Sequence, residues 1–278
     1  MANGAAKFSR RPRYGHAFDK EGGLLYFLFA AENTYQIRNL AGFCRETMLL
    51  KRLRQEVLEA NLELVRKGLV LYTFGNASGI SREDKRVVIK PSGVPYEKLK
   101  PEHMVVTDLN GKVVEGILKP SSDLPTHIEL YKAFPKIGGV AHTHSESATS
   151  WAQARAPIPC FGTTHADYFY GPVPVTEVMT DEEIASAYEK NTGVAIVRAF
   201  KGLDYTAIPA VLVANHGPFT WGANPEAAAH NAVILEAVAR MALFTTAIRD
   251  EAQPIGRKLH DKHYRRKHGK DAYYGQGS

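Results

Sequence analysis

Cysteine is almost missing from this chain. Its 278 residues include Cys44 and Cys160 and no other. Two thiols cannot build a disulfide framework, and such sparse usage fits a reducing compartment, so a cytoplasmic location is expected. Long apolar runs are missing too: no stretch approaches the roughly eighteen residues that a membrane-spanning helix needs. The apolar run at 24–31 is short and follows Asp19 and Glu21, which is not the make-up of a cleaved signal peptide. A Walker loop and a Gly-x-Gly-x-x-Gly fingerprint are both absent, so nucleotide binding has no sequence support. There is no internal repeat and no low-complexity tract.

The net charge of +6 invites a nucleic-acid reading, but its distribution opposes one. Residues 1–46 hold 7 Lys/Arg against 4 Asp/Glu, residues 249–278 hold 8 against 4, and the body between them holds 20 against 21. The excess sits at the two ends, and no pattern of stacking aromatics accompanies it. Neither nucleic acid nor a membrane is expected as a partner. Residues 1–47 sustain no periodicity and read as an extension. Regular patterning begins at Met48, which makes it a candidate translation start, and an intact mass of the native protein would decide that.

From Met48 the chain alternates helical and strand patterns. Leu50, Leu53, Val57 and Leu64 recur at helical spacing. Residues 69–74 read as a strand entering a turn-rich loop, Gly75-Asn76-Ala77-Ser78-Gly79. Val87–Ile89 is a further strand, and Asn110-Gly111 joins two more as a hairpin with both turn residues at positive φ. Pro125 opens a helix and Ser145 is placed to cap another. Thr180-x-x-Glu183 forms a capping box for a helix through Tyr188. Asn224-Pro225 starts the longest helix, with Val233, Ala237, Met241, Phe244 and Ile248 on one face. Interspersed helices and strands with a hairpin predict a layered α/β domain with a mixed or largely antiparallel sheet.

The chemistry centres on Gly138-Gly139-Val140-Ala141-His142-Thr143-His144. Alternate side chains of a strand share a face, so His142 and His144 project together as two ligands for a borderline metal such as zinc. An isolated His-x-His is more often a polar strand end. A second apolar strand, however, runs from Val211 to His216 and could bring a third imidazole to the same sheet edge. Three loops, Gly75-Asn76-x-Ser78-Gly79, Lys90-Pro91-Ser92-Gly93 and Pro120-Ser121-Ser122-Asp123, combine small residues with hydroxyls and exposed N–H groups. Such loops either make turns or cradle a phosphate. Asp123 is a candidate fourth ligand or general base, and His127 a weaker candidate one helical turn on.

These segments, in order, together with Gly162-Thr163-Thr164-His165-Ala166-Asp167-Tyr168, His216-Gly217-Pro218-Phe219 and Tyr273-Tyr274-Gly275-Gln276, closely resemble the L-ribulose-5-phosphate 4-epimerases, a branch of the class II (zinc) aldolase superfamily. The resemblance runs from Met48 to Gln276 and leaves 1–47 uncovered. It implies a three-layer α/β/α sandwich with a central mixed, largely antiparallel sheet. It also implies one zinc per subunit on His142, His144 and His216 with Asp123 at or near the metal. Gly75, Asn76, Ser92, Gly93, Ser121 and Ser122 would hold a sugar phosphate, with Lys90 close by. Asp167 and Tyr274 would be an acid/base pair delivered from a neighbouring subunit of a homotetramer. The implied reaction is carbohydrate epimerisation in arabinose or ascorbate breakdown. A sugar-phosphate aldolase resembling L-fuculose-1-phosphate aldolase, a zinc hydrolase and a non-catalytic module like the adducin head are the competing expectations.

Overall fold

The computed structural model describes residues 48, 50–269 and 272–273, together with two short strands, β1 (Gly15–Phe18) and β2 (Leu24–Phe27). The chain divides into two units, 1–47 and 48–278. In the first, β1 pairs antiparallel with β2. Everything below concerns the second.

A seven-stranded sheet organises this unit. Its strands are β3 (Asn76–Ser81), β4 (Arg86–Ile89), β5 (Val105–Asp108), β6 (Val113–Glu115), β7 (Gly139–His142), β8 (Ala210–Val213) and β9 (Gly217–Gly222). They lie in the order β6-β5-β4-β3-β7-β9-β8. Every strand pair is antiparallel; the only parallel pairing among the described residues is the isolated bridge Val175–Leu212. The expected mixed character thus shrinks to a single bridge.

Helices cover both faces, and strand alternation assigns side chains to each. One face takes Val87, Ile89, Val140, Val211 and Val213 against α2 (Leu124–Ala133) and α6 (Tyr188–Ala199), through Ile128, Tyr131, Ile196 and Phe200. The other takes Ala77, Val88, Ala141 and Leu212 against α1 (Lys51–Arg66), α3 (Glu146–Gln153) and α7 (Pro225–Ile248), through Val57, Leu64, Ala148, Ala229 and Leu235. The remaining helices, α4 (Thr163–Ala166), α5 (Asp181–Ala185) and α8 (Arg257–Lys267), are peripheral to the sheet.

The residues expected to form a strand at 69–74 are turn and irregular backbone, and the strand lies in the following Asn-Ala-Ser-Gly segment. Packing explains the shift. A Cβ on Gly79 would meet Leu53 at 2.7 Å and Pro225 at 2.8 Å, so only a residue without one lets α1 and α7 approach β3. Residues that look like a turn are here selected for close packing.

Three further expectations change. The Asn110-Gly111 loop is not a two-residue turn with both φ positive; Gly111 alone is at positive φ (82°). The Asp108 carboxylate accepts the N–H groups of Asn110 and Lys112, forming an Asx-type loop instead. The capping box at Thr180 is present, but its helix ends at Ala185. There the Ser186 N–H makes the last helical bond, to Glu182 O, and Asn191 Nδ2 donates to Glu183 O, so a side chain takes the next carbonyl that a continuing helix would use. Tyr188 therefore opens a second helix rather than ending the first. Finally, α7 is capped by the Asn224 side chain as read, but only the N-terminal part of its expected apolar face is packed: Val233 lies against the core, whereas Met241 and Phe244 are half exposed and Ile248 is 86% exposed. The packed side is Ala228, Ala232, Leu235, Ala239 and Ala242. This helix also has the length and apolarity of a membrane span, although none was expected; here it packs along β7, β9, α1 and α3.

Ser145 stands at the start of α3 but its hydroxyl makes no capping bond. The cap comes from α7: Glu236 accepts Ser147 N at 2.8 Å and Ala148 N at 2.9 Å. Glu236→Ala leaves two N–H groups at a helix N-terminus without their acceptor. It should cost about 1–2 kcal/mol, read as a Tm lowered by roughly 2–4 °C. An unchanged Tm would remove the carboxylate from this role.

Candidate active site

Strand pairing brings the candidate residues together. β7 lies between β3 and β9, with His142 opposite Asn76 on one side and Phe219 on the other. His144 follows on the same chain. His216 sits in the β8–β9 connection, where Asn215 adopts a left-handed backbone (φ 62°) and turns the imidazole back toward β7. A Cβ on Gly217 would meet Thr143 O at 2.8 Å, so glycine is needed for this connection to lie against the His-x-His segment.

The three imidazoles converge. Their candidate ligand atoms lie within 4.8 Å of one another, and the ring centroids are 4.8–5.1 Å apart. His142 Nδ1 donates to Pro218 O at 2.9 Å, which fixes the ring and turns Nε2 toward His144 Nε2, 3.0 Å away. Phe219 stacks on His142 at 4.1 Å. Burial pushes His216 down to about 4 and lowers His144, so at neutral pH both present lone pairs rather than charge. Three imidazoles facing one point, one of them already oriented by a backbone acceptor, fit a divalent ion of the zinc type.

Asp123 lies outside that three-nitrogen group but lines the same cavity. Its Oδ2 accepts from Asn76 Nδ2 at 2.6 Å. Burial opposes its ionisation, but the neighbouring histidines and the Asn76 amide prevail and hold the carboxyl below its usual range. His127 is fully buried, bonded to Ser78 Oγ, and pushed down to about 3 by burial. It faces the core, not the cavity.

The cavity has a volume of about 410 Å³ and gathers all three loops: Gly75 and Asn76 from the first, Lys90, Ser92 and Gly93 from the second, Ser121, Ser122 and Asp123 from the third, with the three histidines on its wall. The second and third loops are stitched together by Ser92 N to Lys119 O and Ser121 N to Lys90 O. Burial pushes the Lys90 ammonium down to about 8. Since the cation exists below that value and is lost above it, the KM for an anionic substrate should rise as pH passes about 8. A KM flat to pH 9.5 would count against Lys90 as the cation.

Phe74, Tyr188 and Glu189 also line the cavity, and the sequence reading missed them. Tyr188 and Glu189 begin α6, the helix hidden behind the break at Ser186. The Tyr188 hydroxyl lies 3.5 Å from His216 Nδ1. No spacing in the sequence marks them.

Asp167 is not among the lining residues. The Gly-Thr-Thr-His-Ala-Asp segment, readable alone as a loop, forms α4 with Asp167 at its C-terminal end. Its carboxylate accepts from Arg266 Nη2 (2.6 Å) and His263 Nδ1 (3.0 Å). Burial opposes ionisation, and these partners outweigh it, so the carboxyl is held below the usual range. His165 is tied to Gly171 O at 2.7 Å and supports the same segment. Tyr274 lies outside the described residues.

A family model described as the Class II Aldolase and Adducin N-terminal domain matches residues 55–243. An L-ribulose-5-phosphate 4-epimerase UlaF of Salmonella paratyphi B is 51% identical over 227 residues, covering 82% of this chain and 100% of that protein. The UlaF of Salmonella typhi is equally similar over the same span. Among solved structures, an L-fuculose 1-phosphate aldolase superposes with a TM-score of 0.66 at 27% identity, over 77% of this chain and 95% of its own. YgbL of Klebsiella pneumoniae gives 0.62 at 26% identity, over 76% and 97%. With a family model spanning most of the sheet-forming unit and a relative matched along its whole length, the chain belongs to the class II aldolase and adducin N-terminal domain family.

Proposed function

We propose that the protein is an epimerase interconverting L-ribulose 5-phosphate and D-xylulose 5-phosphate. The observation that carries this reading is the meeting of three phosphate-type loops, a three-histidine cluster and an ionised carboxylate in one cavity. It is found in a chain half identical to relatives named for that reaction.

C4 of the sugar bears no acidic proton, so inversion there needs the C3–C4 bond to break and re-form. Loss of the C4 hydroxyl proton lets the bond cleave into glycolaldehyde phosphate and a three-carbon enediolate. After the aldehyde turns its other face, the bond re-forms and the C4 oxygen regains a proton. His142, His144 and His216 would hold a divalent metal, zinc in this reading, which would supply Lewis-acid stabilisation of the enediolate charge worth several kcal/mol. Ser92, Gly93, Ser121, Ser122 and Lys90 hold the phosphate, which retains the aldehyde while it rotates. Asn76, bonded to Asp123, keeps that carboxylate beside the histidines. Asp123 is short for reaching a substrate proton, which suits a place at the metal. Asp167 and Tyr274 of an adjacent subunit exchange protons with the C4 oxygen from opposite faces.

A homotetramer with sites at subunit interfaces accounts for two exposed features. One is the outward face of α7, carrying Met241, Phe244 and Ile248. The other is the exposed pair Tyr72 and Phe74 at the cavity mouth. A cytoplasmic location and a place in arabinose or ascorbate breakdown belong to the same reading. The test is conversion of L-ribulose 5-phosphate to D-xylulose 5-phosphate by the metal-loaded protein, with free glycolaldehyde phosphate monitored in parallel. Release of that aldehyde at turnover rates would establish an aldolase instead.

A further inference from the structure

Tyr96 begins a short 3-10 turn, Tyr96–Lys98, downstream of the Pro91-Ser92-Gly93 loop. No step of the proposed reaction uses it. It is nonetheless 4% exposed, and both of its chemical features are engaged. The hydroxyl donates to Gly75 O at 2.9 Å and lies 3.3 Å from Phe74 O. The ring face lies 4.6 Å from Lys90 Nζ, within range for a cation–π contact. The same ammonium donates to Pro91 O at 3.2 Å. Among the described residues no carboxylate pairs with Lys90, so the ring and this carbonyl are what face its charge.

The two groups that Tyr96 touches belong to different loops. Gly75 precedes β3 and Lys90 follows β4, and because those strands are antiparallel the two loops emerge side by side. Gly75 has φ 78°, and a Cβ there would meet His142 O at 2.7 Å. Its peptide is thus pressed against the metal-side strand, and a shift of Gly75 would disturb both ends of the cavity. The backbone bonds that join the second and third loops do not reach the first.

We propose that Tyr96 is a positioning residue for the substrate phosphate: its hydroxyl fixes the Gly75 peptide and its ring face fixes the Lys90 ammonium, so that loops from both ends of the β3–β4 pair present one anion cradle. The proposal rests on the phosphate-binding reading above.

The experiment compares Tyr96→Phe and Tyr96→Leu in the full chain, with Lys90→Gln and Ser92→Ala as references. For each, KM and kcat for L-ribulose 5-phosphate, the inhibition constant of inorganic phosphate, and bound metal per chain are measured. Loss of one hydrogen bond in Tyr96→Phe should raise KM and the phosphate inhibition constant about three- to fivefold. Loss of the ring as well in Tyr96→Leu should raise both about tenfold or more. Metal content and kcat should stay within about twofold in Tyr96→Phe, because its ring and the metal site are intact. Combined with Lys90→Gln, Tyr96→Leu should add little, since the ring acts through that ammonium. If Lys90→Gln weakens phosphate and Tyr96→Leu does not, the phosphate reading survives and the role of Tyr96 is overturned. If Lys90→Gln, Ser92→Ala and both tyrosine variants all bind phosphate normally, the phosphate reading falls and takes this proposal with it. Should Tyr96→Leu not fold, Tyr96→Phe decides alone. A wild-type inhibition constant, or a loss of metal and kcat at constant KM, would reduce Tyr96 to a fold residue.

Discussion

His142→Asn should leave a folded protein that neither keeps its metal nor turns over substrate. His142 is the most constrained of the three imidazoles, held by Pro218 O, stacked on Phe219 and paired in register with Asn76. Asparagine is too short to place a donor where Nε2 stands, and its amide is a far weaker ligand for a zinc-type ion. Two histidines remain, which is below the three protein ligands usual for a catalytic site. Bound metal should fall from one per chain to near zero after dialysis. Activity should fall by on the order of 10³ or more, the equivalent of the several kcal/mol that a Lewis acid contributes. Stability should report the loss independently: adding metal at a thousand times its dissociation constant stabilises the wild type by about 4 kcal/mol, and the variant should show no such shift in Tm. A metal-free His142→Asn protein with full activity would refute the assignment.

The second large effect is one of recovery. Asp167→Asn alone should be nearly inactive while keeping its metal, because the histidine cavity does not contain residue 167. Mixed and allowed to exchange subunits with His142→Asn, it should regain activity. In a ring of four with each site shared by neighbours, an intact metal site meets an intact Asp167 in about a quarter of the interfaces of an equal mixture. Recovery near that fraction would assign Asp167 to the adjacent subunit. No recovery despite proven subunit exchange would place the whole site within one chain. In the latter case the bond network of Asp167 with Arg266 and His263 is a fold element, not a proton carrier.

What could be read from the sequence, and what could not, divides along physical lines. His-x-His after an apolar run is a period-2 signal, and it correctly predicts a strand end with both imidazoles on one side. The capping groups of Thr180 and Asn224 are equally local and hold. Readings failed where a distant element decides. The strand at 76–81 was misplaced because its small residues answer to α1 and α7, which no local window shows. The C-terminal half of the α7 face turns outward because this helix is apolar on most sides, and mostly alanines make its close contact with the sheet. Ser145 has the residue type of a cap, but Glu236 supplies it, reaching Ser147 N from 89 residues away. In the candidate site, the loops with their own turn chemistry could be picked out individually, but their meeting in one cavity depends on the strand order β4-β3-β7. Tyr188 and Glu189 carry no motif at all.

The packing of β3 bears on how readily this scaffold could acquire a new substrate. Asn76, on the cavity wall, begins a strand that is committed along its length: Asn76 faces the carboxylate and Ser78 the buried His127–Tyr131 pair, while Ala77 and Gly79 pack against helices on the reverse side. The other side is a rim, where Ser92 and Ser122 are exposed and Gly93, at φ 68°, alone is held to glycine by its backbone. Diversity introduced by laboratory evolution should accumulate on that rim and vanish from the wall, so that new specificities arise by changing how the distal end of a substrate is gripped, with the bond-breaking end left as it is.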